Sequence, residues 1–287
     1  MAELPNPLGG ERVRYRWRDQ DIAYVKRGSG PAMVMVHAIH ACAWSMEWRE
    51  VVPALSERYT TFSLDLLGFG ASAHPALRFT ADMFIELIRD FLTDVVCEPA
   101  VLVGSSLGGT YVVSVAAQYP TLARAVCAIG PAGVSRLTVP GGAAGTAVQA
   151  LFRSEFPGKR LFSALVSKRS IRFFLQKTYF DKPRMLTSAV VDLYWVSAAQ
   201  HNARFGPAAF VGMRLNHDIR RALVTMPCPF LLLWGEHAQQ TPFRESAAVH
   251  ALRPQSPFAV LPGGDLPHEE SPAAFLSALF GFLDTVP

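Results

Sequence analysis

Val101-Leu102-Val103-Gly104-Ser105-Ser106-Leu107-Gly108-Gly109-Thr110 is the stretch from which the rest of the chain is read. It opens with a β-branched, apolar run, the pattern of a buried strand. The run breaks at glycines around a serine. Tyr111, Val112, Val115 and Ala116 then share one face of a helix that stops before Tyr119-Pro120. A strand, tight turn and helix around Gly104-x-Ser106-x-Gly108 presents a serine hydroxyl above the end of a sheet. Small residues are needed at 104 and 108, where a side chain would meet the crossing backbone. The Leu107 N–H points toward the same hydroxyl from a helix N-terminus. Ser106 is therefore the candidate nucleophile.

Outward from this turn, strands and helices alternate. Residues 12–17 and 22–25 read as a hairpin. Ala32 to Val36 is a buried strand running into His37-Ala38-Ile39-His40, and a helix through Trp48, Val51, Val52 and Leu55 follows. The strand Thr60 to Leu64 ends in Asp65-Leu66-Leu67-Gly68-Phe69-Gly70-Ala71-Ser72. Thr80 caps a helix through Phe84, Leu87, Ile88 and Phe91. Further strands are expected at 125–129, 229–234 and 258–261, with helices near 244–252 and 273–283. This rhythm predicts an α/β fold, a doubly wound and mostly parallel sheet. Between about Ser135 and Arg220 the strand signals stop, and the span is too long for a bare loop. The expected organisation is a core of residues 1–134 and 221–287 carrying a helical cap of residues 135–220.

Composition narrows the class. Half of the 287 residues are hydrophobic and 17% are charged, so a large buried core is expected. No apolar run is long enough to span a bilayer, and the start lacks the basic and apolar regions of a secretory signal, so a cytoplasmic location is expected. Cys42, Cys97, Cys127 and Cys228 lack metal-ligand or redox spacing and read as reduced core thiols. The net charge of +4 comes with a basic cluster between Arg153 and Arg184, interleaved with phenylalanines. No nucleic-acid-binding motif accompanies it, and a solvated helix face is the expectation. The phenylalanines at 152, 156, 162, 173, 174 and 180 are expected in the cap core, some lining an apolar pocket over Ser106.

With these pieces placed, the chain resembles the α/β-hydrolase superfamily from about residue 20 onward. The serine turn matches the superfamily's nucleophile motif. His37-Ala38-Ile39 stands where members carry His-Gly-x, and the segment Asp65 to Ser72 matches their Asp-x-x-Gly-x-Gly-x-Ser turn. Leu266-Pro267-His268-Glu269-Glu270-Ser271-Pro272 looks like the ending just beyond the catalytic histidine. The resemblance implies a serine mechanism without metal or organic cofactor, in which a histidine takes the Ser106 proton and an acid orients it. It also implies an oxyanion hole made by the backbone N–H groups of Ile39 and Leu107, with Ala38 and His40 beside the substrate.

Two family positions depart from the pattern. Members read Gly-x-x-Asp-x-x-x-Pro after the seventh strand, whereas this chain reads Gly235-Glu236-His237-Ala238-Gln239-Gln240-Thr241-Pro242, with Ala238 at the acid position. Members read Gly-His-x-Pro-His-Glu-Glu near the end, whereas Gly264-Asp265-Leu266-Pro267-His268-Glu269-Glu270 puts Asp265 at the base position. The triad is therefore expected to be degenerate. Help for Ser106 would come from His268 through a reshaped loop, from Asp265 acting as an acid–base group, or from His40. For His268, capping the final helix or bonding to its neighbours competes with the base role, and for His40 a structural role does. Three functions stay open: a hydrolase of an ester or related carbonyl compound with an apolar part, a lyase or cyclase using Asp265, and an inactive member binding a ligand or partner.

Overall fold

The computed structural model describes residues 4–287. Eight strands form one sheet: β1 (Glu11–Trp17), β2 (Gln20–Arg27), β3 (Ala32–Val36), β4 (Thr60–Leu64), β5 (Ala100–Ser105), β6 (Ala123–Ile129), β7 (Phe230–Gly235) and β8 (Phe258–Leu261). Their order is β1-β2-β4-β3-β5-β6-β7-β8. β1 pairs antiparallel with β2 and β2 with β4; every other pair is parallel. This is the α/β-hydrolase arrangement expected from the sequence.

The central strands are buried on both faces, and their alternation splits the core in two. Val34, Val36 and Leu102 point into a layer with Phe84, Ile88 and Tyr111. Met33, Met35, Val101 and Val103 point into the opposite layer with Trp48, Phe275 and Leu279. The helices supplying these layers are Ala81–Phe91, Leu107–Gln118 and Pro272–Leu283. Thr80 caps the first, its side chain accepting from the Met83 N–H at 3.2 Å.

Between β6 and β7 the chain forms helices and no strand, from Ala143–Arg153 to Arg220–Thr225. This insert packs on the loops at the carboxyl ends of the parallel strands. Phe162, Ile171, Leu175 and Tyr194 join Ala38, Cys42, Trp44 and Met46 in a third apolar cluster. Trp44 Nε1 donates to the Leu193 carbonyl at 2.9 Å, and Gly70 N donates to Ser197 Oγ at 3.1 Å. Local departures from expectation are small. The helix expected through Trp48 to Leu55 is two short turns, Ser45–Trp48 and Val52–Leu55, because Pro53 leaves room only for a new first turn. Cys97 is exposed on a left-handed turn, whereas Cys42, Cys127 and Cys228 are buried as expected. Phe156 and Phe173 are exposed rather than core residues.

Candidate active site

Ser106 sits between β5 and the helix Leu107–Gln118 with φ +52° and ψ −122°, a conformation rarely adopted by a residue with a side chain. The strain is held by what surrounds it. A Cβ at Gly104 would lie 2.6 Å from the Gly108 carbonyl oxygen, and one at Gly108 would lie 2.4 Å from the His37 carbonyl oxygen. Ser106 N donates to the Ile129 carbonyl at 2.8 Å, tying the turn to β6. The same glycine contacts press the start of the helix against the loop after β3. Among the described residues, the N–H groups of Ile39 and Leu107 donate to no protein acceptor, and Ser106 Oγ makes no hydrogen bond.

The β3 loop is fixed from behind. His37 Nδ1 donates to the Ala38 carbonyl at 2.6 Å while His37 Nε2 accepts from Leu66 N at 3.1 Å, which defines the neutral tautomer. Ala38 N donates to both carboxylate oxygens of Glu47 at 3.1 Å. Ala38 does not have a positive φ, so its methyl group adds no backbone strain. Burial pushes the Glu47 carboxyl up to about 8, against the pull of His37, the Ala38 amide and Arg49.

His40 is fully buried against the rings of Phe174, Tyr179 and Tyr194. Its Nδ1 accepts from Cys42 N at 3.4 Å, so Nε2 carries the proton, and Nε2 has no partner among the described residues. Burial, with His37 nearby, lowers its pKa to about 3. This imidazole is a neutral donor and a poor base.

Asp265, expected as an acid–base group beside Ser106, makes no hydrogen bond to Ser106. Its carboxylate turns toward the loop after β7 and is filled there. Oδ2 accepts from Gln239 N at 2.8 Å and Gln240 N at 3.0 Å, and Oδ1 accepts from Thr241 N at 2.9 Å and Thr241 Oγ1 at 3.1 Å. Burial lifts its pKa, and these four donors oppose the lift. The two loops also touch backbone to backbone: a Cβ at Gly235 would lie 1.8 Å from the Gly264 carbonyl oxygen. Asp265 braces the loop that carries Ala238.

His268 makes no hydrogen bond to Ser106 either. It lies on the short helix Pro267–Glu270, stacked on Trp48 with ring centroids 4.3 Å apart. Its Nε2 is 3.4 Å from Glu47 Oε1 without a well-aligned hydrogen bond, and burial lowers its pKa to about 4. Asp65 is structural, its carboxylate accepting from Ser45 N and Ala71 N, each at 2.8 Å.

Sequence reasoning missed the buried polar layer behind the β3 loop. Besides Glu47 and His268 it holds Arg49, whose Nη1 is 2.6 Å from Glu269 Oε2, and Tyr194, whose hydroxyl donates to Glu269. The available signal was Glu47 itself, an acid between Trp44 and Trp48 in an otherwise apolar stretch. Among the described residues, no cluster of His, Cys, Asp and Glu has the geometry of a metal site. No helix there is long and apolar enough to cross a membrane.

The profile of the "Alpha/beta hydrolase family" matches residues 33–278. The chain is similar to 2-(acetamidomethylene)succinate hydrolase of Mesorhizobium japonicum, 27% identical over 90% of both chains. A shorter segment, 39% of each chain, is 33% identical to 2-hydroxy-6-oxo-6-(2'-aminophenyl)hexa-2,4-dienoic acid hydrolase of Metapseudomonas resinovorans. Among solved structures, a serine hydrolase involved in carbazole degradation superposes with a TM-score of 0.78 at 20% identity, covering 96% of this chain and 99% of the other.

Proposed function

The chain belongs to the alpha/beta hydrolase family, and on that premise we propose that it is a serine-centred hydrolase of esters or related carbonyl compounds with a substantial apolar part. One observation carries the reading: a strained Ser106 turn beside two amides, Ile39 N–H and Leu107 N–H, that no protein acceptor claims. Ser106 Oγ attacks the carbonyl carbon, the two amides donate to the developing oxyanion, and the leaving group departs as the C–O bond breaks. Water then cleaves the acyl-enzyme. Residues 135–220 act as the cap over this site, with residues 1–134 and 221–287 as the core. The hydrolases named among its relatives support a carbonyl substrate.

With no imidazole on Ser106 Oγ, the serine proton passes to solvent or to the leaving group. Loss of triad members costs several orders of magnitude, while an oxyanion hole and binding alone keep about 10³–10⁴ over water. Activated carbonyl compounds with good leaving groups are therefore the fitting substrates. The lyase or cyclase reading through Asp265 loses its basis, because that carboxylate already accepts four hydrogen bonds. A member that binds ligand without turnover is favoured by one feature, the unassisted Ser106 hydroxyl. Labelling with a fluorophosphonate separates the two. The hydrolase reading predicts slow labelling of Ser106, lost in Ser106→Ala, together with measurable turnover of p-nitrophenyl esters; absence of both leaves a binding protein.

A further inference from the structure

On the helix Lys168–Thr178, Arg169, Phe173 and Lys177 follow one another at four-residue spacing and so share a face. That face, with Phe174 beside it, forms one wall of an open cleft of about 760 Å³. Phe210 and Val211 stand on another side, and Ala41 and Cys42 also line it. These two are the second and third residues after Ile39, so chain length alone keeps them within about 11 Å of the Ile39 amide. One wall of the cleft therefore lies within about 11 Å of the candidate oxyanion site.

Its chemistry is two-sided. Phe173 is 63% exposed, an unusual state for a phenylalanine ring. Among the described residues, no carboxylate lines the cleft. Among the described residues, neither Arg169 nor Lys177 forms an ion pair, although the same helix pairs Lys168 with Asp192 at 2.6 Å. Positive charge is concentrated around it: residues 135–220 hold 13 Lys and Arg against four Asp and Glu, in a chain whose net charge is +4. The two cations lie about 12 Å apart along the helix, on either side of Phe173. Lys177 is at the end that runs into Tyr179, whose carbonyl accepts from Asp265 N at 2.9 Å; Arg169 is at the far end.

We propose that this cleft binds an anionic amphiphile: an apolar chain or ring system lies against Phe173 and Phe174, its ionised end group is held by Arg169 with Lys177 adding to the field, and its carbonyl end reaches Ser106. This deepens the hydrolase reading and rests on it for the carbonyl end, while recognition of the anion and the apolar body stands on the cleft alone.

The test measures binding without chemistry. The Ser106→Ala protein is titrated with dansyl-labelled undecanoate and with the corresponding neutral primary amide. Exposed ion pairs are each worth a few-fold, so Arg169→Glu with Lys177→Glu, which turns two attractions into repulsions, weakens acid binding by about tenfold or more. Amide binding stays unchanged, and Phe173→Asp weakens binding of the amide too. The acid preference shrinks as salt rises. Equal affinity for acid and amide overturns the proposal, as does a charge-reversed protein that keeps the preference. Loss of adsorption to anionic vesicles with monomer binding intact also overturns it, and assigns the face to a lipid surface. All three changed side chains are exposed, and equal urea midpoints confirm an intact fold. Fluorophosphonate labelling of the wild type is scored separately, so failure of the serine chemistry and failure of the cleft remain distinguishable.

Discussion

The loops after β3 and β5 and the loops after β7 and β8 leave the same edge of the sheet, yet they hold their polar groups for different purposes. On the first side three polar groups stay unspent: Ser106 Oγ and the amides of Ile39 and Leu107 have no protein partner among the described residues. On the second side they are consumed, because Asp265 takes four hydrogen bonds from Gln239, Gln240 and Thr241. The glycines frame both sides alike, with Gly108 against His37 and Gly235 against Gly264. On the reading proposed above, the fold keeps the backbone geometry of a catalytic site while side chains on half of it serve as braces. Backbone amides cannot be mutated away, whereas a histidine and an acid can.

The largest effect that would sharpen this contrast is reconstruction of the missing half. Asp265→His with Ala238→Asp is expected to raise the rate of Ser106 phosphonylation by about 10² or more, beyond the sum of the single changes, as for groups acting as a unit. Asp265→His alone gains little, since Ala238 cannot orient an imidazole. Purely additive singles would show that the two positions do not face one another.

Next in size is the brace itself. Asp265→Ala strands the donors of the β7 loop and is expected to cost about 2–4 kcal/mol in urea unfolding. At the same time the labelling rate of the folded protein changes by less than about threefold. A collapse of labelling with stability intact would return Asp265 to a catalytic role.

Acid sensitivity follows from His40. Its folded pKa, about 3, lies below the unfolded value near 6.5, so the folded state binds fewer protons between these values. Stability from this group is present above pH 6.5 and is lost as pH falls toward 3. His40→Phe, which keeps a ring among Phe174, Tyr179 and Tyr194, should reduce the loss of stability between pH 7 and pH 4 by on the order of 2 kcal/mol. Parallel urea midpoints for the two proteins at both pH values measure it. An unchanged difference would mean that His40 titrates as if exposed.

The smallest expected effect concerns the support of the β3 loop. Glu47→Ala removes both acceptors of the Ala38 N–H and should lower kcat on an activated ester by about tenfold with KM little changed. Glu47→Gln retains an acceptor oxygen and should recover most of that loss. Equal damage from both would contradict a role that consists in accepting from the Ala38 N–H.

Much of this could be read in advance for a physical reason. Strands such as Met33 to Val36 and Val101 to Val103 carry their fate in local pattern, and Gly104-x-Ser106-x-Gly108 encodes a turn that only small flanking residues permit. The substitutions at Ala238 and Asp265 were visible because flanking glycines and prolines preserve the frame. The direction of the Asp265 carboxylate was not visible: a loop side chain turns toward whichever unsatisfied donors the distant chain brings, here three backbone amides. Nor was the pairing of Arg49 with Glu269, or of Glu47 with His268, since no local period links residues so far apart in the chain. Burial of Glu47 is only weakly marked in the sequence, since an acid near a helix start ordinarily lies on a solvated face.

The claim that Ser106 works without an imidazole is tested most directly by the pH dependence of its phosphonylation between pH 5 and 7.5. The account predicts a logarithm of rate that rises steadily with hydroxide or stays flat, with no titration step, and absolute rates within about threefold of wild type in His40→Phe and His268→Phe, whose imidazoles are neutral across this window. A rate loss of tenfold or more in either variant, or a sigmoidal step that disappears in one of them, would contradict it, because it would place a histidine on the serine.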